Sequence, residues 1–437
     1  MSDQSYRLHD RGGSQHRNVA SHSPGNLLAE LGPIAPPQGA LEGRILIIED
    51  LTKTVIADLG SALQIDPLFF ASHLDTPAMD VNSTAPDKVT LPSRLRPKDY
   101  INIHYHRTIR FSENSNLPEG HLTLRQDGIC ISRKVTILTR IKKIRIGLAQ
   151  HCVSVYWKMQ QGGHWLGIIL TDPKVSDRYI QETSNGTIAV TYGSRPFAAG
   201  YEDFEEPNFH FPQSIPLNRC QNLMDDLLQY LRPGGYNFGI NSPTVLGLSY
   251  FPLRIVAGEW MNYILIMSYS IKEYEPKGGM PRRPETGMDL KELQRWRRRA
   301  LASEQKIDAV VRFLGHQRTR GARNLKEQRT SHIEDWIYLS KNLRACSSLL
   351  ENMAQVAQIV DARRSADETR NTTRLTTLAL FFIPFSLLSS IFSMNGKFAA
   401  GAPLFWVYFV AAVLGSLILY VFVGREKVLR LWRRRRS

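Results

Sequence analysis

The stretch LTTLALFFIPFSLLSSIFSMNG (Leu375–Gly396) decides how this chain is read. It holds no charged residue, and after a single Lys397 a second uncharged run follows, FAAGAPLFWVYFVAAVLGSLILYVFVG (Phe398–Gly424). Each exceeds the roughly 20 residues a helix needs to cross about 30 Å of hydrocarbon. Asn395-Gly396 is a turn dipeptide, and Pro403 is suited to open a second helix. Hydrocarbon offers irregular backbone no hydrogen-bond partners, so the two runs read as a hairpin. The expected boundaries are transmembrane helix 1 over 375–394, a short non-cytosolic loop over 395–402 and transmembrane helix 2 over 403–424. The alternative is a buried helical hairpin in a water-soluble core, but such helices rarely run this long without charge.

The flanks give orientation. Arg363, Arg364, Arg370 and Arg374 precede the first run, and Arg425, Lys427, Arg430 and Arg433–Arg436 follow the second. By the positive-inside rule both termini lie in the cytosol, and 425–437 is a basic cytosolic tail. The terminal RRRR also fits nucleic-acid binding or nuclear import. Its position just past an apolar run favours a headgroup anchor instead, so the lipid bilayer is the expected partner and nucleic acid is not.

Composition agrees with an integral membrane protein that has a large water-facing part. The 437 residues carry a formal net charge of +15, with 43% hydrophobic and 22% charged residues, which excludes disorder throughout. A mean hydropathy of −0.25 is an average that conceals local runs. Cys130, Cys152, Cys220 and Cys346 form no C-x-x-C, which argues against a disulfide scaffold, a zinc finger or a dithiol redox site. The opening MSDQSYRLHDRGGSQHRN lacks an apolar core, so no cleaved secretory signal is visible. The plasma membrane is the expected location, with an organellar membrane as the other possibility.

Working back from the apolar end, Ser331-His-Ile-Glu334 is a capping box that opens a stripe. The stripe contains Ile333, Trp336, Ile337, Leu339, Leu343, Cys346, Leu349, Leu350, Met353, Val356 and Val360. It predicts a stalk helix over 331–374, continuous with transmembrane helix 1 through Pro384, and a coiled-coil-like surface that packs on copies of itself. Residues 277–330 read as a linker and helical pair, with a capping box at Asp289–Glu292 and breaks at Gly315 and Gly321. Residues 43–276 read as a cytosolic α/β domain. Its expected strands lie at Arg44–Asp50, Ile101–His106, Ile129–Ile137, Val153–Lys158 and Trp165–Leu170. Its expected helices are Val55–Leu63, Asp66–His73, Cys220–Leu231 and Leu253–Tyr274. Residues 74–98 and 171–216 read as loops and 1–42 as disordered.

Stepping along the first run at helical spacing gives one face of Thr372, Thr376, Ala379, Ile383, Ser386, Ser390 and Ser393, with Asn395 beyond. Leu378, Phe381, Phe382, Phe385, Leu388 and Phe392 lie opposite. A small hydroxylic face suits either a tightly packed helix seam, with Ser and Thr bonded back to their own helix, or a wet pore. Ala411-x-x-x-Gly415 is a weak packing signal in the second run.

Arg374–Asn395 resembles the first span and signature of CorA-type divalent-cation channels, which end this helix in G-M-N. Here Ser393 makes it S-M-N. RILIIEDL (Arg44–Leu51) and IDPLFF (Ile65–Phe70) further resemble the CorA-like branch common in fungi. The resemblance implies a homopentamer whose pore is lined by transmembrane helix 1. Asn395 would then ring the outer mouth beside Met394 and Ser393 and hold a hydrated ion through its water shell. Ile383 would be an apolar constriction, with Ser386, Ser390, Thr376 and Thr372 on the same lining. The implied cargo is Mg²⁺, with Zn²⁺, Co²⁺ or Ni²⁺ as alternatives, and no cofactor is implied. Neither run holds His, Cys, Asp or Glu, which argues against direct inner-sphere ligation of a transition metal. The loop also lacks Asp and Glu, so a non-conducting, membrane-anchored oligomeric regulator of the same architecture stays open.

No Walker motif is present, and none is needed. A divalent ion gains about 4.6 kcal/mol from a 100 mV potential. An enzymatic reading has little support, because no nucleophile–base or metal-ligand spacing stands out. Two lesser candidates remain. His104 and His106 share one strand face, read as a solvated face or a metal site, and Glu202, Asp203, Glu205 and Glu206 read as a surface loop or a divalent-ion sensor.

Overall fold

RILIIE does form a strand, and it joins a sheet of eleven. The structure is a computed structural model. It describes residues 6–12, 17–22, 41–74, 99–112, 117, 120–138, 144–160, 165–174, 177–183, 186–197, 222–231, 244–273, 288–320 and 326–393, and scattered positions between 403 and 417. In chain order the strands are β1 (Tyr6–Gly12), β2 (Arg17–His22), β3 (Leu41–Glu49), β4 (Tyr100–Phe111), β5 (Gly120–Gln126) and β6 (Ser132–Ile137). They continue with β7 (Arg145–Met159), β8 (Trp165–Thr171), β9 (Arg178–Thr183), β10 (Gly186–Thr191) and β11 (Ser194–Pro196). The main order is β10-β9-β5-β6-β7-β8-β3-β1-β2, with β4 on β7 and β11 on β4. Among the described strands only β3 and β8 pair in parallel.

β7 is the spine. Along one edge it pairs with β4 from Tyr100↔Tyr156 to Phe111↔Arg145. Along the other it pairs with β6 at Gly147–Ala149 and with β8 at Val153–Met159. β8 is buried at every position, as expected of a central strand with a near-continuous apolar sequence. β4 instead alternates, in keeping with the strand period of two.

Helices close over the sheet. α1 (Lys53–Leu63) starts at Thr52, whose hydroxyl accepts from Val55 N at 3.1 Å, and buries Val55, Leu59 and Leu63 at four-residue spacing. With α2 (Pro67–Leu74) it covers a core that contains Leu46, Ile48, Phe69, Phe70 and Ile168. α3 (Leu223–Tyr230), α4 (Val245–Leu248) and α5 (Tyr250–Glu273) follow. At Gly167 a Cβ would come within 2.8 Å of Leu248, so the absence of a side chain is what lets α4 approach β8.

α6 (Met288–Arg320) and the first part of α7 (Lys326–Ser393) form an antiparallel pair. Trp296, Ala300, Ile307, Val310 and Leu314 of α6 are buried, as are Trp336, Leu339, Leu343 and Leu350 of α7. Arg297–Glu351 (2.8 Å), Arg344–Glu304 (2.7 Å) and Arg344–Asp308 (2.8 Å) flank them. The compact unit 1–351 holds all of this, and 352–437 forms a second unit.

Several expectations change here. Residues 1–42 supply β1 and β2; β1 pairs with β3 and β2 with β1, through backbone bonds that need no apolar pattern. Within 171–216, read as loop, β9, β10 and β11 form, and the remainder lies largely outside the described residues. α6 runs straight through Gly315, because an isolated glycine lowers helix stability by only about 1 kcal/mol. Along the α7 stripe, α6 covers Trp336, Leu339, Leu343 and Leu350, while Ile337, Leu349 and Val356 are exposed in the single chain. The 74–98 loop beyond Leu74, up to Lys98, and the acidic cluster Glu202, Asp203, Glu205 and Glu206 lie outside the described residues.

Candidate functional site

Two sites warrant description, one polar and buried, one apolar and exposed. The first arises where β6 and β8 part company along β7. Between Ala149 and Val153 the β7 edge has no ladder partner on that side among the described residues. Asp172, one residue past β8, fills the gap. Its carboxylate accepts from Cys152 N at 2.8 Å and from Arg133 Nε and Nη2 at 2.8 and 2.5 Å. Arg133 also donates to the carbonyls of His73 and Leu74 at 2.9 and 3.0 Å, which ties β6 to α2. His73 Nε2 and His151 Nδ1 lie 3.4 and 3.5 Å from the same carboxylate. Burial alone would raise the Asp172 carboxyl, but the Arg133 guanidinium with His73 and His151 holds it well below the usual carboxylate range. Burial pushes His73 down, and His151 down to about 3, so both rings are neutral near pH 7.

Ser154 Oγ stands 2.8 Å from His73 Nδ1, which completes a Ser–His–Asp row. Ser154, His73 and Asp172 are all fully buried, and Asn102 Nδ2 donates to the same hydroxyl at 2.6 Å. A nucleophile needs a reacting atom within reach of substrate. This hydroxyl is enclosed, so the row reads as structure. Nothing local in the sequence announced it; the one signal is an acid placed directly after the apolar strand WLGIILT.

His104 and His106 do not lie on a solvated face. Both are half-buried. His106 stacks on Tyr263 of α5 at 5.1 Å and 19°, under the cover of α5 and α6. Among the described residues no group of His, Cys, Asp and Glu has the geometry to hold a metal ion.

The second site is the C-terminal part of α7. The helix continues through Pro384 to Ser393. The Thr372 and Thr376 hydroxyls bond back to Glu368 O (2.9 Å) and Thr372 O (2.8 Å), the seam-type arrangement. Leu375, Leu378, Phe382 and Ile383 are 55–70% exposed, and Ser386 and Ser390 are exposed as well. Apolar and hydroxylic faces are therefore both uncovered. The side chain of Ser393 and the whole of Met394 and Asn395 lie outside the described residues, as does most of the second apolar run. Among the described residues no helix is long and apolar enough to cross a membrane.

Residues 285–425 match the family described as CorA-like Mg2+ transporter protein. The CorA-like segment is about a third of the chain and takes in α6, α7 and both apolar runs. No curated protein matches the chain. Two solved structures are similar, the CorA magnesium transporter from Methanocaldococcus jannaschii and the full-length CmaX protein. Each is 12% identical with a TM-score of 0.44, over 97% of this chain and 98% of its own. The CorA-like segment contains every residue of the expected pore lining, from Thr372 to Asn395, and excludes the Asp172 cluster.

Proposed function

We propose that the chain is a subunit of a membrane channel for divalent cations, Mg²⁺ first among them. The observation that carries this reading is the CorA-like family match over 285–425, which includes the S-M-N element and both uncharged runs. In this reading 375–394 and 403–424 span the bilayer, both termini face the cytosol, and five copies enclose a pore lined by the Thr372–Asn395 face. The exposed Leu349, Val356 and Ile359 of α7 support assembly, since a neighbouring copy would remove their apolar surface from water. Mg²⁺ dehydrates reluctantly, so an amide at the mouth fits it through its water shell.

Purified full-length protein in sealed liposomes tests the reading. It should admit Mg²⁺ to a trapped indicator dye and run as a pentamer by native mass in detergent. A clean monomer would remove the pore, since one hairpin cannot enclose one. A stable oligomer with no flux of any divalent ion would favour the second reading, a non-conducting membrane-anchored regulator. The absence of Asp and Glu between Asn395 and Pro403, with Lys397 there instead, is the observation on its side.

The lining has its own test. Ile383 and Phe382 are both exposed in the single chain, about 100° apart around the helix. Five Ile383 side chains on one axis would form a ring that sheds water. Ile383→Ser should wet it and raise basal flux roughly tenfold, equivalent to about 1.4 kcal/mol off the barrier. Phe382→Ser should leave flux nearly unchanged. The opposite pattern would mean that the lining face is rotated.

A further inference from the structure

One contact between the helical layer and the sheet joins two basic groups. Lys306 of α6 places Nζ 3.4 Å from Nε2 of His106 on β4. The imidazole is pinned by Tyr263 on its face and by the edge of Trp260 at 5.6 Å and 87°. Its other nitrogen, Nδ1, is buried without a hydrogen-bond partner among the described residues. An ammonium only donates, so Nε2 must accept, and the ring must be neutral for the contact to hold. An added proton would give the ring two N–H groups, one aimed at an ammonium and one at nothing. At 3.4 Å two like charges repel strongly in a partly dehydrated setting.

The surroundings offer that proton no compensation. Among the described residues the titratable groups facing His106 are Lys306 and Arg299 from α6 and the neutral ring of His151 from β7, all basic. Arg299 is itself engaged by Glu292 at 3.6 Å. From α5 come Tyr263 and Trp260, while Glu259 of that helix interacts with Arg107 and the Thr108 backbone. His104 faces the same Lys306, and Lys306 in turn faces Arg133 and Cys152.

We propose that His106 and Lys306 form a proton-sensitive latch: the neutral imidazole holds α6 against β4, and proton uptake by His106 in mild acid releases it. α6 grips α7 through Arg297–Glu351, Arg344–Glu304 and Arg344–Asp308, so the two helices leave the sheet as a pair. Nothing in the latch depends on ion conduction.

Hydrogen–deuterium exchange on the full chain in detergent, corrected for intrinsic exchange rates, tests it at about pH 7.5 and 5.5. Opening of the α6 segment Trp296–Val310 should rise roughly tenfold for each pH unit below about 6.5, while α1 and β3 stay protected. His106→Gln keeps an acceptor and takes up no proton, so its α6 response should fall to about twofold or less. Lys306→Met removes the opposing charge and should blunt the response in the same way, which keeps the test open if His106→Gln fails to fold. Unchanged α6 protection in the wild type would overturn the latch. So would a wild-type-like response in a folded variant, or loss of α1 and β3 protection in step with α6.

Discussion

Asn395→Ala is expected to lower divalent-cation flux by at least about a hundredfold while the protein still assembles. The side-chain amide is the polar group that the M-N element would present at the mouth, immediately past the last turn of α7 at Ser393. Hydrogen bonds to charged species are worth ~1.5–3 kcal/mol each. In the proposed pentamer a ring of such amides would address the water shell of one ion in concert, so its loss would raise the entry barrier by about 3 kcal/mol or more, which gives the hundredfold figure. Native mass separates this outcome from misassembly, because the oligomer should be unchanged. Asn395→Leu should behave alike, since neither replacement offers an acceptor. Wild-type flux in either variant would reduce Asn395 to a turn residue before Gly396.

Asp172→Ala is expected to destabilise the sheet domain by ~3–5 kcal/mol, the usual penalty for leaving one partner of a buried ion pair uncompensated. Arg133 would be left charged and buried, and Cys152 N would lose its acceptor. Folded domains have only ~5–15 kcal/mol to lose, so tryptophan fluorescence against urea should show a much lower midpoint. Asp172→Leu combined with Arg133→Met should recover part of the loss by removing both charges. A midpoint within about 1 kcal/mol of wild type in Asp172→Ala would mean that the junction is not held by this pair.

The same site sets an acid limit. His73 and His151 are depressed in the folded state, so the unfolded chain binds more protons below about pH 6.5 and stability declines from there downward, by up to ~1.4 kcal/mol per pH unit for each ring. Asp172 is depressed too, so its contribution is complete above about pH 4 and is lost only as pH falls further.

Features that depend on neighbours along the chain were legible in residue order alone. Composition was enough for the core of β3 in RILIIE and for the central strand at Trp165–Leu170. Residue order was also enough for the body of α1, read at Val55–Leu63 and observed at Lys53–Leu63. An apolar stripe, with Pro384 tolerated, was enough for the body of α7, which starts at Lys326 and not at the capping box read at Ser331. The uncharged runs after Arg374 are likewise local, and the CorA-like match falls on them. Tertiary structure decided what depends on distant partners. His106 has the alternation of a solvated strand face, and it is covered because α5 and α6 return to β4 from more than 150 residues downstream. Ile337 and Leu349 fit the α7 stripe, yet α6 is only wide enough to bury Trp336, Leu339, Leu343 and Leu350. Asp172 matters because β6 and β8 diverge along one edge of β7 and leave a backbone N–H there to be satisfied. A strand's own sequence does not record which neighbour stops short, so the acid that fills the gap becomes visible only when the sheet is assembled.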